Sequence, residues 1–382
     1  MKFNYVNTTK VFFTDRLEEI GDYIASMNYR RPLIITGCTY SAMKANDIVN
    51  TLSCDEYKII SGVSTNANCD IVKENLKSVS DFLPDVIITV GGGSVHDTGK
   101  AISVMLYSDD KADIEDYTVD GKLSVPGIKK TLPIITIPTL VGSGAEVSPA
   151  ALIQIGNKKR VMFSTLLHPT ATFVNNSFLE TLSINKISRS AFDSLVQALE
   201  GFISTSANAI SDAFAIQTIS YFNEVYLSLK EDKVTVKEYE KLAVASIFSS
   251  YVCSTASVGA IHALSDPISG RYNIHHGSAL AMVAVYVLKY NLEAVDDDKV
   301  EKLDNMLFNV TSSQENVRTR VIEKIANIIV ELHLLENVEK IRADKETIKL
   351  MCKESFNPDM AGNPYEYSEE EIALIFNGVF ND

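Results

Sequence analysis

Three short stretches carry residue types at spacings that suit a divalent cation: Asp193-Ser-Leu-Val-Gln197, His262-Ala-Leu-Ser-Asp266 and His275-His276-Gly277. Residues four apart on a helix share a face, so Asp193 aligns with Gln197 and His262 with Asp266. The chain has six histidines, and three of them fall between positions 262 and 276. Carboxylates, an amide oxygen and imidazoles together make a mixed nitrogen and oxygen donor set of the kind that holds first-row divalent metals. A competing reading makes the same residues helix caps and satisfied polar groups inside a helical bundle. The three stretches alone do not separate the two.

A second chemistry is written earlier in the chain. Gly91-Gly92-Gly93-Ser94-Val-His-Asp97-Thr-Gly-Lys100 follows the apolar run Val86–Val90 and opens a helical pattern. Glycines let the backbone approach a phosphate, and the free N–H groups of a helix start hold the anion. Ser94 can cap that helix or bond a phosphate oxygen. The G-x-G-x-x-G dinucleotide fingerprint is absent from the sequence. Thr139-Leu-Val-Gly142-Ser143-Gly144-Ala-Glu146-Val147-Ser148 is a second small-residue loop after a strand. Such clusters are usually turns, but paired with the first it suggests two loops clasping a dinucleotide.

The elements that must position these residues fall into two regimes. Up to about residue 180, apolar runs at 32–37, 57–60, 86–90 and 132–138 alternate with helical patterns at 40–52 and 69–82. That alternation predicts a mostly parallel sheet covered on both faces, with ligands beyond the carboxyl ends of its strands. A short strand or hairpin is expected within 3–13, with Asp15 capping the helix that follows, and short strands at 149–155, 160–164 and 171–174. Beyond Thr181, helical periodicity takes over, with segments near 187–205, 209–229, 236–254, 278–293, 315–333 and 344–355. The expectation is an α/β nucleotide-binding domain over 1–181 and an all-helical metal and substrate domain over 182–382.

Composition narrows the class. A chain of 382 residues with 46% hydrophobic and 22% charged content can bury more than one core. A net charge of −14 argues against nucleic acid or an anionic membrane as partner. Five scattered cysteines with no Cys-x-x-Cys pair fit reduced thiols. The opening MKFNYVNTTKVFF lacks the apolar core of a secretory signal, and no apolar run reaches the ~20 residues that span a bilayer. A cytoplasmic protein is expected.

Taken together, GGGSxxDxxK, TIPTxxGxGxEV, Asp-x3-Gln, His-Ala-Leu-x-x-Pro and His-His-Gly resemble the iron-containing (group III) metal-dependent alcohol dehydrogenases in order and spacing. Asn363-Pro364, ahead of the acidic stretch Ser368-Glu-Glu-Glu, fits the same pattern. The resemblance implies an N-terminal nucleotide-binding domain, a helical C-terminal domain and catalysis in the cleft between them. It implies that Gly91, Gly92, Gly93 and Ser94 bind the pyrophosphate, with Asp97 of the same motif among the cofactor residues. Thr136, Thr139, Ser143 and Val147 would line the cofactor further along. The metal ligands it implies are Asp193, Gln197, His262 and His276, holding Fe²⁺ or Zn²⁺, with Mn²⁺ also open.

Two departures matter: Gln197 stands where a histidine ligand is usual, and Asp266 where a histidine often lies near the substrate. Either Gln197 ligates through its amide oxygen, or Asp266 swings in from one turn after His262, or the metal site is lost. In the last case the chain is a nucleotide-binding relative that serves as a regulator or partner. A dehydratase-like or synthase relative using NAD internally is a further enzyme reading. Retention of Asp193, His262 and His276 favours an altered but working site. Gly37, where relatives that prefer NAD often carry an Asp, removes repulsion of a 2′-phosphate, and Ser41 and Lys44 lie near in sequence. NADP is therefore favoured slightly over NAD. Arg271 lies between the two histidine ligands in a pattern similar to the phosphonoacetaldehyde-reductase branch, which suggests an aldehyde bearing an anionic group. An ion pair made by Arg271 is the competing reading. The expected reaction is hydride transfer between nicotinamide and a small aldehyde or alcohol, a proton passing through His275 or Asp266. The expected assembly is a homodimer.

Overall fold

A computed structural model describes residues 7–38, 40–64, 66–109, 111–123, 127–179, 183–308, 310–338 and 340–381, without the side chains of Tyr40 and Ser41. The chain divides into two compact units, Val6–Thr181 and Leu182–Asp382.

The first unit runs β1 (Lys10–Phe13), α1 (Glu18–Ser26), β2 (Pro32–Gly37), α2 (Tyr40–Val49), β3 (Lys58–Val63), α3 (Cys69–Phe82), β4 (Val86–Gly91) and α4 (Gly93–Met105). It continues with β5 (Ile134–Pro138), β6 (Ala150–Ile155), β7 (Lys158–Phe163) and β8 (Ala171–Val174). Six strands form a parallel sheet in the order β1-β8-β5-β4-β2-β3, and β6 and β7 make a separate antiparallel hairpin. The central strands are almost wholly apolar because both faces are covered, each carrying a buried threonine (Thr36, Thr89, Thr136). Leu33, Ile35 and Ile87 pack with Val72 and Val79 of α3 and Ala101 and Ile102 of α4. Their neighbours Ile34, Ile88 and Val90 face the opposite way, onto Ile20 and Ile24 of α1 and Ile48 of α2. This is the period-2 alternation of a strand.

Of the strand or hairpin expected within 3–13, the described residues form the short strand β1, which pairs in parallel with β8. One local expectation gives way. Asp15 does not cap α1, whose N-cap position is Leu17; its Oδ1 instead accepts a hydrogen bond from Asn176 Nδ2 at 3.4 Å.

The second unit contains α5 (Ile184–Ile203), α6 (Ala209–Lys230), α7 (Val236–Ala256), α8 (Ala260–Tyr272) and α9 (His276–Asn291). It closes with α10 (Asp297–Met306), α11 (Val317–Glu331), α12 (Lys345–Ser355) and α13 (Glu369–Asn381). From Ser190 to Ile203 every residue of α5 is buried, as is all of α8 from Ala260 to Gly270. Helices hidden on every side belong to the interior. Pro267 sits inside α8 and cannot donate to the Ala263 carbonyl one turn back. Asn357 Nδ2 meets that carbonyl instead, at 3.5 Å. No single described helix is long and apolar enough to cross a membrane.

Candidate metal centre and nucleotide loops

On the buried helix α5, Asp193, Gln197 and Glu200 form a polar stripe at helical spacing, all nearly closed to solvent. His262 lies in the first turn of α8 and His276 opens α9. Gly277 brings α9 against α5: a Cβ there would fall 2.1 Å from the Arg189 carbonyl oxygen, so only glycine permits this approach. One ligand atom from each of Asp193, His262 and His276 lies within 4.8 Å of the others. Atoms bound at about 2.1 Å to one ion stand ~3–4 Å apart, so a slight contraction closes the set on a cation.

Contacts inside the set are tight. His262 Nε2 is 3.4 Å from Asp193 Oδ1, and its Nδ1 is 2.5 Å from Glu200 Oε2. Burial pulls the His262 pKa down, but hydrogen bonds and charge from Asp193 and Glu200 outweigh it and push it up to about 10. Two carboxylates around one imidazole favour a positive guest, proton or metal. Gln197 Nε2 donates to Asp193 Oδ1 at 3.0 Å, and a half-turn of that amide offers oxygen in place of nitrogen. Asp266 is not part of the three-residue group; its Oδ1 stands 4.0 Å from His276 Nδ1. His275 is the N-cap of α9, its Nδ1 accepting from the Gly277 N–H at 3.2 Å.

The two glycine-bearing loops of the first unit touch. Thr139 N–H donates to the Gly91 carbonyl at 2.9 Å. A Cβ on Gly92 would lie 3.6 Å from Leu140, and one on Gly93 only 2.8 Å from Ser143 Oγ. Gly92, in extended conformation, is the N-cap of α4, so Ser94 lies inside the first turn and does not cap it. Gly92, Gly93, Ser94 and Ser143 present accessible surface there. Thr136 and Val147 are 0% exposed. Thr136 Oγ1 donates to the Glu146 carbonyl at 2.8 Å, and the Val147 carbonyl accepts from Asn7 Nδ2 at 3.2 Å. Both shape the loop, and neither presents accessible surface.

Lys100, fully buried, ties α4 to the second loop: its Nζ donates to the carbonyls of Ala145 at 2.8 Å and Ala150 at 2.7 Å. Asp97 Oδ1 is 3.7 Å away. Burial depresses the ammonium pKa and pushes Asp97 up to about 6, each partly offset by the other's charge. His96, one residue earlier, shares a 2.8 Å hydrogen bond with Thr89 Oγ1. Burial, with the Lys100 charge adding to it, lowers its pKa to about 3. Gly37 ends β2 and is buried, while Cys38 after it is exposed. The side chain of Ser41 lies outside the described residues. Lys44 is 3.6 Å from Asp47 and sits over the Phe178 ring.

Family models match nearly the whole chain: iron-containing alcohol dehydrogenase over residues 7–176, and the C-terminal model of the same family over 187–380. The chain belongs to the iron-containing alcohol dehydrogenase family. Its relatives in this oxidoreductase family include lactaldehyde reductase of Escherichia coli, 26% identical over 97% of this chain and 98% of that protein. Another is 1,3-propanediol dehydrogenase of Klebsiella pneumoniae, 25% identical over 99% of each. An archaeal alcohol dehydrogenase from a Red Sea brine pool shares the fold at a TM-score of 0.90 and 23% identity, over 100% of this chain and 99% of that one.

Within this iron-containing dehydrogenase, Arg271 has other employment. Its guanidinium is held bidentately by Glu354 of α12, with Nη2 to Oε1 at 2.8 Å, and the two side chains are 13% and 15% exposed. The cation on which an anionic substrate was read is thus neutralised by a partner in the same unit. Glu200 is a residue that sequence reasoning missed. Its signal was present, since it lies seven residues after Asp193 on a helix otherwise apolar around it. Lys100 closes the glycine motif, but nothing in the sequence tells which carbonyls it binds.

Proposed function

We propose that the chain catalyses reversible, metal-dependent hydride transfer between NAD(P)(H) and a small aldehyde or primary alcohol. The observation that carries this reading is the convergence of Asp193, His262 and His276 within 4.8 Å, with the Gln197 amide beside them as fourth donor. A divalent cation held there would polarise the carbonyl oxygen and steady the alkoxide while a nicotinamide carries the hydride. Asp193 and His262 hold their donor atoms in a setting nearly closed to water. Gly92, Gly93, Ser94 and Ser143 take the cofactor phosphates at the start of α4. Asp266 stands beside His276, its Oδ1 4.0 Å from Nδ1. His275 Nδ1 accepts the Gly277 N–H; once that bond is released, Nδ1 can take the proton of the alcohol, the exchange we assign to His275.

Gly37 favours NADP(H), because no carboxylate at the end of β2 meets a 2′-phosphate. Lys44, already beside Asp47, adds less to that preference than its sequence position suggested. The Arg271–Glu354 pair supports a substrate without an anionic group.

The test combines metal analysis of the purified protein with NADPH and NADH oxidation against a panel of small aldehydes, lactaldehyde among them. Bound metal and turnover support the reading. Protein that binds nucleotide, holds no metal and oxidises neither cofactor would establish instead the regulator reading, which the Gln197 substitution favours.

A further inference from the structure

We infer that Glu200 is a positioning residue for the metal centre, fixing the His262 ring and the start of α8 with a single buried carboxylate; this rests on the metal reading above. Glu200 Oε1 accepts the Ile261 N–H at 2.6 Å, and Oε2 faces His262 Nδ1 at 2.5 Å. The carboxylate is therefore bound to two consecutive residues of α8 and holds both the helix end and the imbedded ring. A negative charge at a helix N-terminus is favourable in itself. Asn363, arriving from the far end of the chain, takes the preceding N–H, that of Ala260, at 2.9 Å. Asn363 is in turn paired with Asn291 at 2.8 Å and 3.0 Å. Gly259 leaves room for the arrangement, since a Cβ there would stand 2.7 Å from Asn363 Oδ1 and 3.0 Å from Glu200 Oε1.

The consequence is chemical as well as mechanical. Occupying Nδ1 leaves Nε2, the atom 3.4 Å from Asp193 Oδ1, as the only ring nitrogen available to a cation. A carboxylate on the far nitrogen also raises the donor strength of the near one. Glu200 thus selects which nitrogen ligates and how strongly, without touching the ion.

The experiment compares wild type with Glu200→Gln. Zn²⁺ affinity is read by competition with a chromophoric chelator, the Co²⁺ absorption spectrum is recorded in parallel, and NADPH affinity serves as the folding control. The expected result is a loss of ~10–100-fold in Zn²⁺ affinity and altered Co²⁺ bands, with NADPH affinity unchanged. Equal Zn²⁺ affinity in the two proteins would overturn the role of Glu200 alone. Wild type that takes up no Zn²⁺ would overturn the metal reading and this inference with it. Should Glu200→Gln not fold, ¹⁵N spectra of the histidine rings in Zn²⁺-loaded wild type decide the matter. A His262 ring protonated at Nδ1 and metallated at Nε2 supports the inference, and the reverse refutes it.

Discussion

Gln197 and Asp193 lie one turn apart on α5 and are joined by a 3.0 Å hydrogen bond from the Gln197 amide nitrogen to Asp193 Oδ1. The amide therefore stands next to a ligand carboxylate, where relatives are expected to carry an imidazole. Imidazole nitrogen is a better donor than an amide oxygen for Zn²⁺ and Fe²⁺, while oxygen suits Mn²⁺. Gln197→His should tighten Zn²⁺ binding on the order of tenfold, about 1.4 kcal/mol, and lower the preference for Mn²⁺. Chelator competition with each ion checks this. Unchanged affinities would place Gln197 outside the coordination sphere.

Gly277→Ala tests how α9 is seated. The added methyl would meet the Arg189 carbonyl at 2.1 Å, and neither backbone can yield cheaply. Overpacking of this kind costs about 1–3 kcal/mol. Calorimetry should show a lower Tm, and Zn²⁺ titration a weaker site, because His276 is carried away with the helix start.

For the nucleotide loops, Lys100→Met removes the donor to Ala145 and Ala150 and leaves Asp97 buried beside an apolar side chain. Breaking one half of a buried ion pair costs about 3–5 kcal/mol. NADPH affinity should fall in fluorescence titrations while Zn²⁺ affinity holds. Adding Asp97→Asn should recover part of the lost stability.

Arg271→Met separates the two readings of that arginine. If Arg271 serves Glu354, the substitution destabilises the second unit, again by about 3–5 kcal/mol, and changes KM for charged and neutral aldehydes by the same factor. A selective rise in KM for the anionic aldehyde would restore the substrate-binding role.

Acid sensitivity should trace to His96. Its folded pKa of about 3 lies below the ordinary 6.5, so between those values the unfolded chain binds more protons and stability climbs with pH. The contribution is complete above about pH 6.5 and is lost as pH falls towards about 3. Asp97 works in the opposite sense between 3.8 and about 6, because its folded pKa is raised. His96 has the wider window and should dominate. His96→Asn should flatten the fall of Tm from about pH 7 to about pH 4, and an unaltered slope would exonerate His96.

Much of the frame was legible from residue pattern. The runs Pro32–Gly37, Val86–Val90 and Leu132–Pro138 announced a parallel sheet because strands covered on both faces are apolar at nearly every position. The i, i+4 pairing of Asp193 with Gln197 held because it depends only on helix geometry. Asp15 misled for a local reason: a capping side chain is useful only at the one position where the backbone leaves the helix, which here is Leu17; for the same reason Ser94, past the N-cap Gly92, is left with the second of its two expected roles. That Thr136 and Val147 turn inward was not legible, since residue types around a strand end do not say which side chains are buried.

Residue order alone thus determined the alternation of strands and helices, the two glycine-bearing loops, the donor types and the family to which they belong. Tertiary structure decided which groups meet: His262 with Glu200, Lys100 with the carbonyls of Ala145 and Ala150, Arg271 with Glu354. The reason is physical. Periodicity and turn chemistry act over a few residues, whereas these partners lie 45 to 83 positions apart, and only the packing of one helix or loop on another fixes them within bonding distance.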